Sequence, residues 1–174
     1  MTRLASMAFG VIAYATTLEK LSLDDMVAKS TEIVRGKVVG SSAAQRGGIL
    51  YTQVTVQVIE WLKGASAPTV EVTVPGGTLN GFRQSFSGAP KMSIGTEYVF
   101  FLWRGRSGLA QIIGLSQGLM DVKLDGQGKA VVTRSASAET VIDRVTGHVV
   151  VDAGFTMSLT ELRDYVKRRT AEAH

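Results

Sequence analysis

The sequence predicts a mainly β fold: a closed β-barrel with a short helix before it and a C-terminal helix after it. Three observations carry that expectation. Residues 49–62 alternate, with Thr52, Val54, Val56 and Val58 on one face and Gln53, Thr55 and Gln57 on the other, as in a half-buried strand. The alternation loses phase at Ile59-Glu60-Trp61-Leu62. A slip of one residue would turn the whole apolar set to the wrong face, so the break predicts a bulge or sharp bend near Glu60, a device by which barrels turn corners. Residues 97–103, Glu-Tyr-Val-Phe-Phe-Leu-Trp, are apolar on both faces and predict a central strand covered on both sides, with a helix on the outside.

The remaining elements follow in order. Ser22-Leu23-Asp24-Asp25-Met26-Val27 predicts a short helix over 22–30. Ser22 caps the orphan N–H groups, and two aspartates sit where the helix dipole favours them. Residues 31–39 predict a strand ended by Gly40-Ser41-Ser42, with the turn to the next strand at Gln45-Arg46-Gly47-Gly48. Val70, Val72 and Val74 predict a third strand with Glu71 and Thr73 facing out, stopped by Pro75-Gly76-Gly77. Residues 78–93 then predict a long loop, a feature uncommon unless functional or mobile.

After the turn at 104–108, residues 109–115 and 119–124 predict shorter strands, and Asp125-Gly126-Gln127-Gly128 a hairpin turn into 129–133. Val141-Ile142-Asp143 and His148-Val149-Val150-Val151 pair across Thr146-Gly147 or, for the first of them, form a helix. Ser158-Leu159-Thr160-Glu161 is a capping box, which predicts a helix to about Arg169. Leu159, Leu162 and Val166 face inward on that helix with Tyr165 beside them, Arg163, Lys167, Arg168 and Arg169 stay in solvent, and residues 170–174 fray.

Residues 1–15 read as a signal peptide, and residues 16–174 as a single domain. Arg3 supplies a basic start, residues 4–13 are apolar apart from Ser6, and Ala13-Tyr14-Ala15 gives a small-x-small cleavage pattern before Thr16. The other reading of this segment is an N-terminal helix packed on the barrel. Its apolar run is shorter than the roughly 20 residues a membrane helix needs, so no stable membrane insertion is expected. The net charge of +4 is too mild to imply nucleic acid, and zero cysteines exclude disulfides, zinc-thiolate sites and thiol catalysis.

Helix, five or six barrel strands, then a C-terminal helix is an OB-like layout. The segments Thr31-Glu32-Ile33-Val34-Arg35-Gly36-Lys37-Val38-Val39, Tyr51-Thr52-x-Val54-x-Val56, Leu62-Lys63-Gly64 and Gly95-Thr96-Glu97-Tyr98-Val99-Phe100-Phe101 resemble the netrin-like domain, the family that includes the tissue inhibitors of metalloproteinases. The chain is also similar to uncharacterised bacterial exported proteins with a Gly-Leu-Ser-Gln-Gly element, here Gly114 to Gly118. The resemblance implies a netrin-like barrel that acts in a protease-inhibitor-like way, with an extracytoplasmic protein such as a protease as its partner. The inhibitors' zinc-chelating N-terminal cysteine has no counterpart, because Thr16-Thr17-Leu18 would begin the mature chain.

Candidate chemistry is sparse. His148 is the one internal histidine, with Asp143 or Asp152 to orient it and Ser116 or Ser135 to attack. Gly114-Leu115-Ser116-Gln117-Gly118 spells a nucleophile elbow, but that motif needs a helix after the serine, and residues 119–124 alternate as a strand. Asp24-Asp25 reads as a helix cap, and Asp125-Gly126-Gln127-Gly128 lacks the further acids of a calcium loop. No metal and no cofactor are therefore expected. Tyr51, Trp61 and Trp103 are expected in the core or under a helix. Phe82, Arg83 and Phe86, on the long loop, are the binding candidates, since aromatics and arginine dominate contact hot spots. The alternative places both rings under the loop as a satellite cluster.

The expectation is a non-enzymatic exported binding module. The alternatives are an oligosaccharide or small-ligand binder on the barrel face, a Ser116/His148 hydrolase, and a self-assembling surface component.

Overall fold

The computed structural model describes residues 17–64, 66–137 and 139–172. The expected signal segment and cleavage site, and the last two residues of the tail, lie outside the described residues. β1 (Thr17–Glu19) leads through α1 (Leu23–Lys29) to three strands, β2 (Glu32–Arg46), β3 (Ile49–Lys63) and β4 (Thr69–Pro75). A small hairpin, β5 (Gly77–Leu79) and β6 (Phe82–Gln84), precedes β7 (Glu97–Arg104) and β8 (Ala110–Ile112). The chain continues through β9 (Leu119–Leu124), β10 (Ala130–Arg134), β11 (Thr140–Ile142), β12 (Val149–Val150) and β13 (Phe155–Ser158) into α2 (Leu159–Glu172). The fold is mainly β, with a short helix near the N-terminus and a helix at the C-terminus, as the sequence predicts.

Eight strands form the main sheet in the order β13-β10-β9-β7-β2-β3-β4-β8. β8 also pairs with β7, so β7, β2, β3, β4 and β8 make a ring of pairings. The β4–β8 contact, Val72 opposite Ala110, is parallel, and the other pairings in the ring are antiparallel. β1, β11 and β12 form a separate sheet in which β1 runs parallel to β11. The 141–151 segment is therefore a hairpin, with Ile142 opposite Val149, and not a helix.

β7 explains why its sequence is apolar on both faces. Tyr98, Phe100 and Leu102 join one core cluster with Val34, Val56 and Val72 from the neighbouring ring strands. Val99 and Phe101 face the opposite cluster, where Met26 and Val27 of α1 and Leu162 and Val166 of α2 cover the sheet. The alternation of side chains along a strand divides one apolar run between two cores.

The phase break on β3 is resolved by bulges on either side of Glu60-Trp61. The β2–β3 register shifts between Ile33 and Val34 and again between Arg35 and Gly36, with a third shift between Val38 and Gly40. At Gly36 the two strands approach so closely that a Cβ would lie 2.4 Å from Val56 Cγ1 and 2.8 Å from the Gln57 carbonyl oxygen. The bend directs Glu60 to α2, where Arg163 donates to its carboxylate through Nε at 2.6 Å and Nη2 at 2.9 Å. The Arg163 guanidinium holds the Glu60 carboxyl below its ordinary value.

Both helices begin on capping boxes: the one at Ser158 is as the sequence predicts, and at Ser22, expected as a simple cap, Asp25 completes a second. Asp25 N–H donates to Ser22 Oγ at 3.0 Å while Ser22 N–H donates back to Asp25 at 3.1 Å. Glu161 N–H and Ser158 make the same reciprocal pair, and Leu159, Leu162 and Val166 are buried.

Five expectations need correction. β2 does not end at Gly40 but runs on to Arg46, because residues 40–46 keep pairing with 49–55. Thr73 is buried rather than outward-facing. Arg163 is half-buried against Glu60 rather than free in solvent, whereas Arg169 is exposed as expected and pairs there with Asp24. Residues 170–172 are helical. The 78–93 segment is not a featureless loop, because β5 and β6 pair within it.

Candidate functional site

The β5–β6 hairpin places two of the three candidate residues. Asn80 (φ 50°) and Gly81 (φ 82°) form a two-residue turn with both residues left-handed, the geometry that Asn-Gly favours between short antiparallel strands. Leu79 lies opposite Phe82, Thr78 opposite Arg83, and Gly77 opposite Gln84. Phe82, directly after the turn, is 77% exposed, and Arg83 is exposed beside it. Phe86, two residues beyond the hairpin, is half-buried. The two rings therefore part: one stands in solvent and the other is partly covered.

The hairpin is fastened to the ring at its base. Gly76 N–H donates to the Leu50 carbonyl at 2.8 Å, and the Thr52 hydroxyl donates to the Gly76 carbonyl at 2.8 Å. The Leu50 N–H donates to Gln84 Oε1 at 2.7 Å. Gly76 itself has φ +94°, and a Cβ there would come 2.9 Å from the Gln84 carbonyl oxygen. Gly76→Ala is expected to cost about 1–3 kcal/mol through backbone strain and this contact. The checks are a lower denaturant midpoint and faster amide exchange in β5 and β6; an unchanged midpoint would show that the hairpin base is not held as described.

Residues 85–94 then fold back across the end of the ring. Ser87 Oγ donates to Glu139 at 2.7 Å, Ser93 N–H donates to the hydroxyl of buried Tyr98 at 3.1 Å, and Gly95 N–H donates to the Val38 carbonyl at 2.8 Å. Between this segment and the strands lies a cavity of about 390 Å³, within the size range of small-ligand sites. Val38, Val54 and Val74 give it an apolar floor, and Phe86, Met92 and Ile94 an apolar wall. Among the described residues, Arg83 and Lys91 are its only charged lining residues. Neither has a hydrogen-bond or ion-pair partner among the described residues.

The residues considered for catalysis are not brought together by hydrogen bonds. Asp143 accepts from the N–H groups of Val145 and Thr146 and from the Thr146 hydroxyl, at 2.8–3.0 Å. These bonds, the Thr146 ones foremost and a nearby His148 last, hold its carboxyl below its ordinary value. His148 is exposed and not hydrogen-bonded to Asp143 through its ring, and Ser116, in the β8–β9 turn, bonds to neither through its side chain. Asp152 is engaged by Arg134. No group of three or more His, Cys, Asp or Glu residues suited to a metal ion occurs among the described residues.

The chain matches no protein-family model and no curated protein.

Two further residues escape sequence reasoning. Gln117, inside the apparent nucleophile elbow, is buried, accepts from Leu21 N–H at 2.9 Å and donates to the Glu19 carbonyl at 2.9 Å. It latches β1 to the body. Trp103, expected in the core, is 47% exposed and lines a second cavity with Leu18, Leu21 and Ile113. Tyr51 and Trp61 are half-buried.

Proposed function

We propose that this chain is a non-enzymatic exported binding module on an OB-like, netrin-like β-barrel. Its partner is an extracytoplasmic protein, with an inhibited protease as one form of that partner, met through the β5–β6 hairpin and residues 85–94. The observation that carries this reading is the exposure of Phe82 beside Arg83 on a hairpin fastened by three hydrogen bonds. An exposed aromatic with an adjacent arginine, held without much entropy left to lose, is the chemistry of an interface anchor. The five-strand ring of pairings supports the barrel reading. Among the described residues no helix is long and apolar enough to cross a membrane.

The test is partner capture with wild-type and Phe82→Ala protein side by side from the extracytoplasmic fraction. Truncating an anchor of this kind costs about 2 kcal/mol or more of binding, roughly thirtyfold in affinity. The expected result is a partner retained by the wild type and lost by the variant at equal thermal stability. Identical retention by both proteins would overturn the surface.

A small-ligand reading has its own support in the cavity beneath the hairpin. Its apolar floor is formed by strands of the ring, and its volume suits a small molecule.

A further inference from the structure

We infer that the cavity under the β5–β6 hairpin takes an apolar group bearing a single carboxylate. This inference rests on the reading of that end of the molecule as the binding site, and adds the ligand's chemistry to it. Three observations lead there. The floor and one wall are aliphatic and aromatic, with Val38, Val54 and Val74 buried and Phe86 and Met92 half-buried. An apolar body is what such a surface removes from water with gain. The charges are of one sign: Arg83 comes from β6 and Lys91 from the segment that folds back over it. Two like charges lining one cavity without counter-ions among the described residues repel each other, and an anion placed between them relieves both.

The third observation concerns carboxylates of the protein itself. Among the described residues none lines the cavity. Glu139, which touches the same segment at Gly88, accepts a hydrogen bond from Ser87, and Glu97 is paired with Arg35. The lining also includes Gln84, whose carbonyl oxygen accepts from Leu50 N–H while its amide nitrogen has no partner among the described residues. Arg83, Lys91 and Gln84 thus offer donors and no competing acid, which suits a carboxylate head with its apolar tail on the valine floor.

Two sources share this chemistry: a free aliphatic acid, and the C-terminal carboxylate of an apolar peptide. The experiment is a titration followed by amide chemical shifts on ¹⁵N-labelled protein. Its probes are octanoate, octylammonium, octanol, and an apolar tripeptide with a free or an amidated C-terminus. Octanoate or the free-acid peptide is expected to bind with a Kd on the order of 1 mM or tighter, given its few atoms. The shifts are expected at residues 76–94 and at Val38 and Val54. Octylammonium and the amidated peptide are expected to bind at least tenfold more weakly.

Arg83→Gln and Lys91→Gln, both exposed and therefore harmless to folding, are each expected to weaken the anion about fivefold. Octanoate binding without peptide binding supports the inference with a free acid as the source, and tight free-acid peptide binding supports it with a chain terminus. Equal binding of octanoate, octanol and octylammonium would overturn it, as would shifts confined to another face. Silence of both anions with Phe82-dependent partner capture intact would overturn the ligand and leave the binding module standing. Anion binding without that capture would do the reverse.

Discussion

Asp152→Ala is expected to destabilise the protein by about 3–5 kcal/mol, the cost of leaving one member of a buried ion pair without its partner. For a chain of this length that is roughly a 10 °C fall in melting temperature. Arg134 and Asp152 have side chains only 4% and 2% exposed, and the guanidinium grips the carboxylate through both Nη atoms. The same carboxylate accepts from Ser137 N–H at 2.8 Å and Gly154 N–H at 3.4 Å, while Phe155 lies 5.3 Å under the guanidinium. One side chain thereby ties the end of β10, the approach to β11 and the approach to β13. The double variant Arg134→Met with Asp152→Leu removes both charges and is expected to recover only part of the loss, because two backbone N–H groups still lack their acceptor. Full recovery would show that the backbone contacts contribute nothing.

The pair also gives a pH dependence of known sign. Hydrogen bonds from Arg134 foremost, opposed by burial, lower the Asp152 carboxyl from 3.8 to about 2. Its contribution, on the order of 2 kcal/mol, is fully present above pH 3.8 and fades as pH falls through 2. The Asp152→Asn protein is expected to lose that part of the acid dependence. Identical acid profiles for the two proteins would contradict it.

Gln117→Leu is expected to cost about 2–4 kcal/mol, because it orphans the Leu21 N–H and the Glu19 carbonyl together. The effect is expected to be local as well as global. β1 pairs with β11 in register Leu18 opposite Val141, and the buried side chain of Gln117 ties the end of β1 to the β8–β9 turn, beside the exposed Lys29–Glu19 ion pair. Amide exchange at residues 18–21 is expected to accelerate more than exchange in β7. Gln117→Glu keeps an acceptor for Leu21 but no donor for Glu19, and is expected to fall between wild type and Gln117→Leu. A uniform rise in exchange over the whole chain would contradict the latch.

What the sequence makes legible here is local or periodic. The Ser158 capping box and the Ser22 cap need only three residues of spacing, and both form. The bulges around Glu60 follow from a loss of phase, and the burial of β7 from an unbroken apolar run. The extent of β2 is different in kind: Gly40-Ser41-Ser42 resembles a turn, and only continued pairing with β3 makes it strand. Asn80-Gly81 carries its own hairpin signal, but three-residue arms are too short for alternation to register.

The contacts between distant parts of the chain leave no such trace. Arg163 meets Glu60 and Arg169 meets Asp24 across more than a hundred residues, so a helix face that reads as solvated is half ion-paired. For the site, composition pointed to Phe82, Arg83 and Phe86. The cavity and its second cation, Lys91, exist only because residues 85–94 fold back over the valine floor.

The most direct measurement is a hydrogen-exchange footprint of the captured partner on the full-length protein. Protection is expected over residues 76–94, strongest at the β5–β6 hairpin, and lost with Phe82→Ala. Protection instead at the β11–β12 hairpin, where Val145, Val149 and Val151 stand exposed, would contradict the central claim and move the binding surface to that sheet.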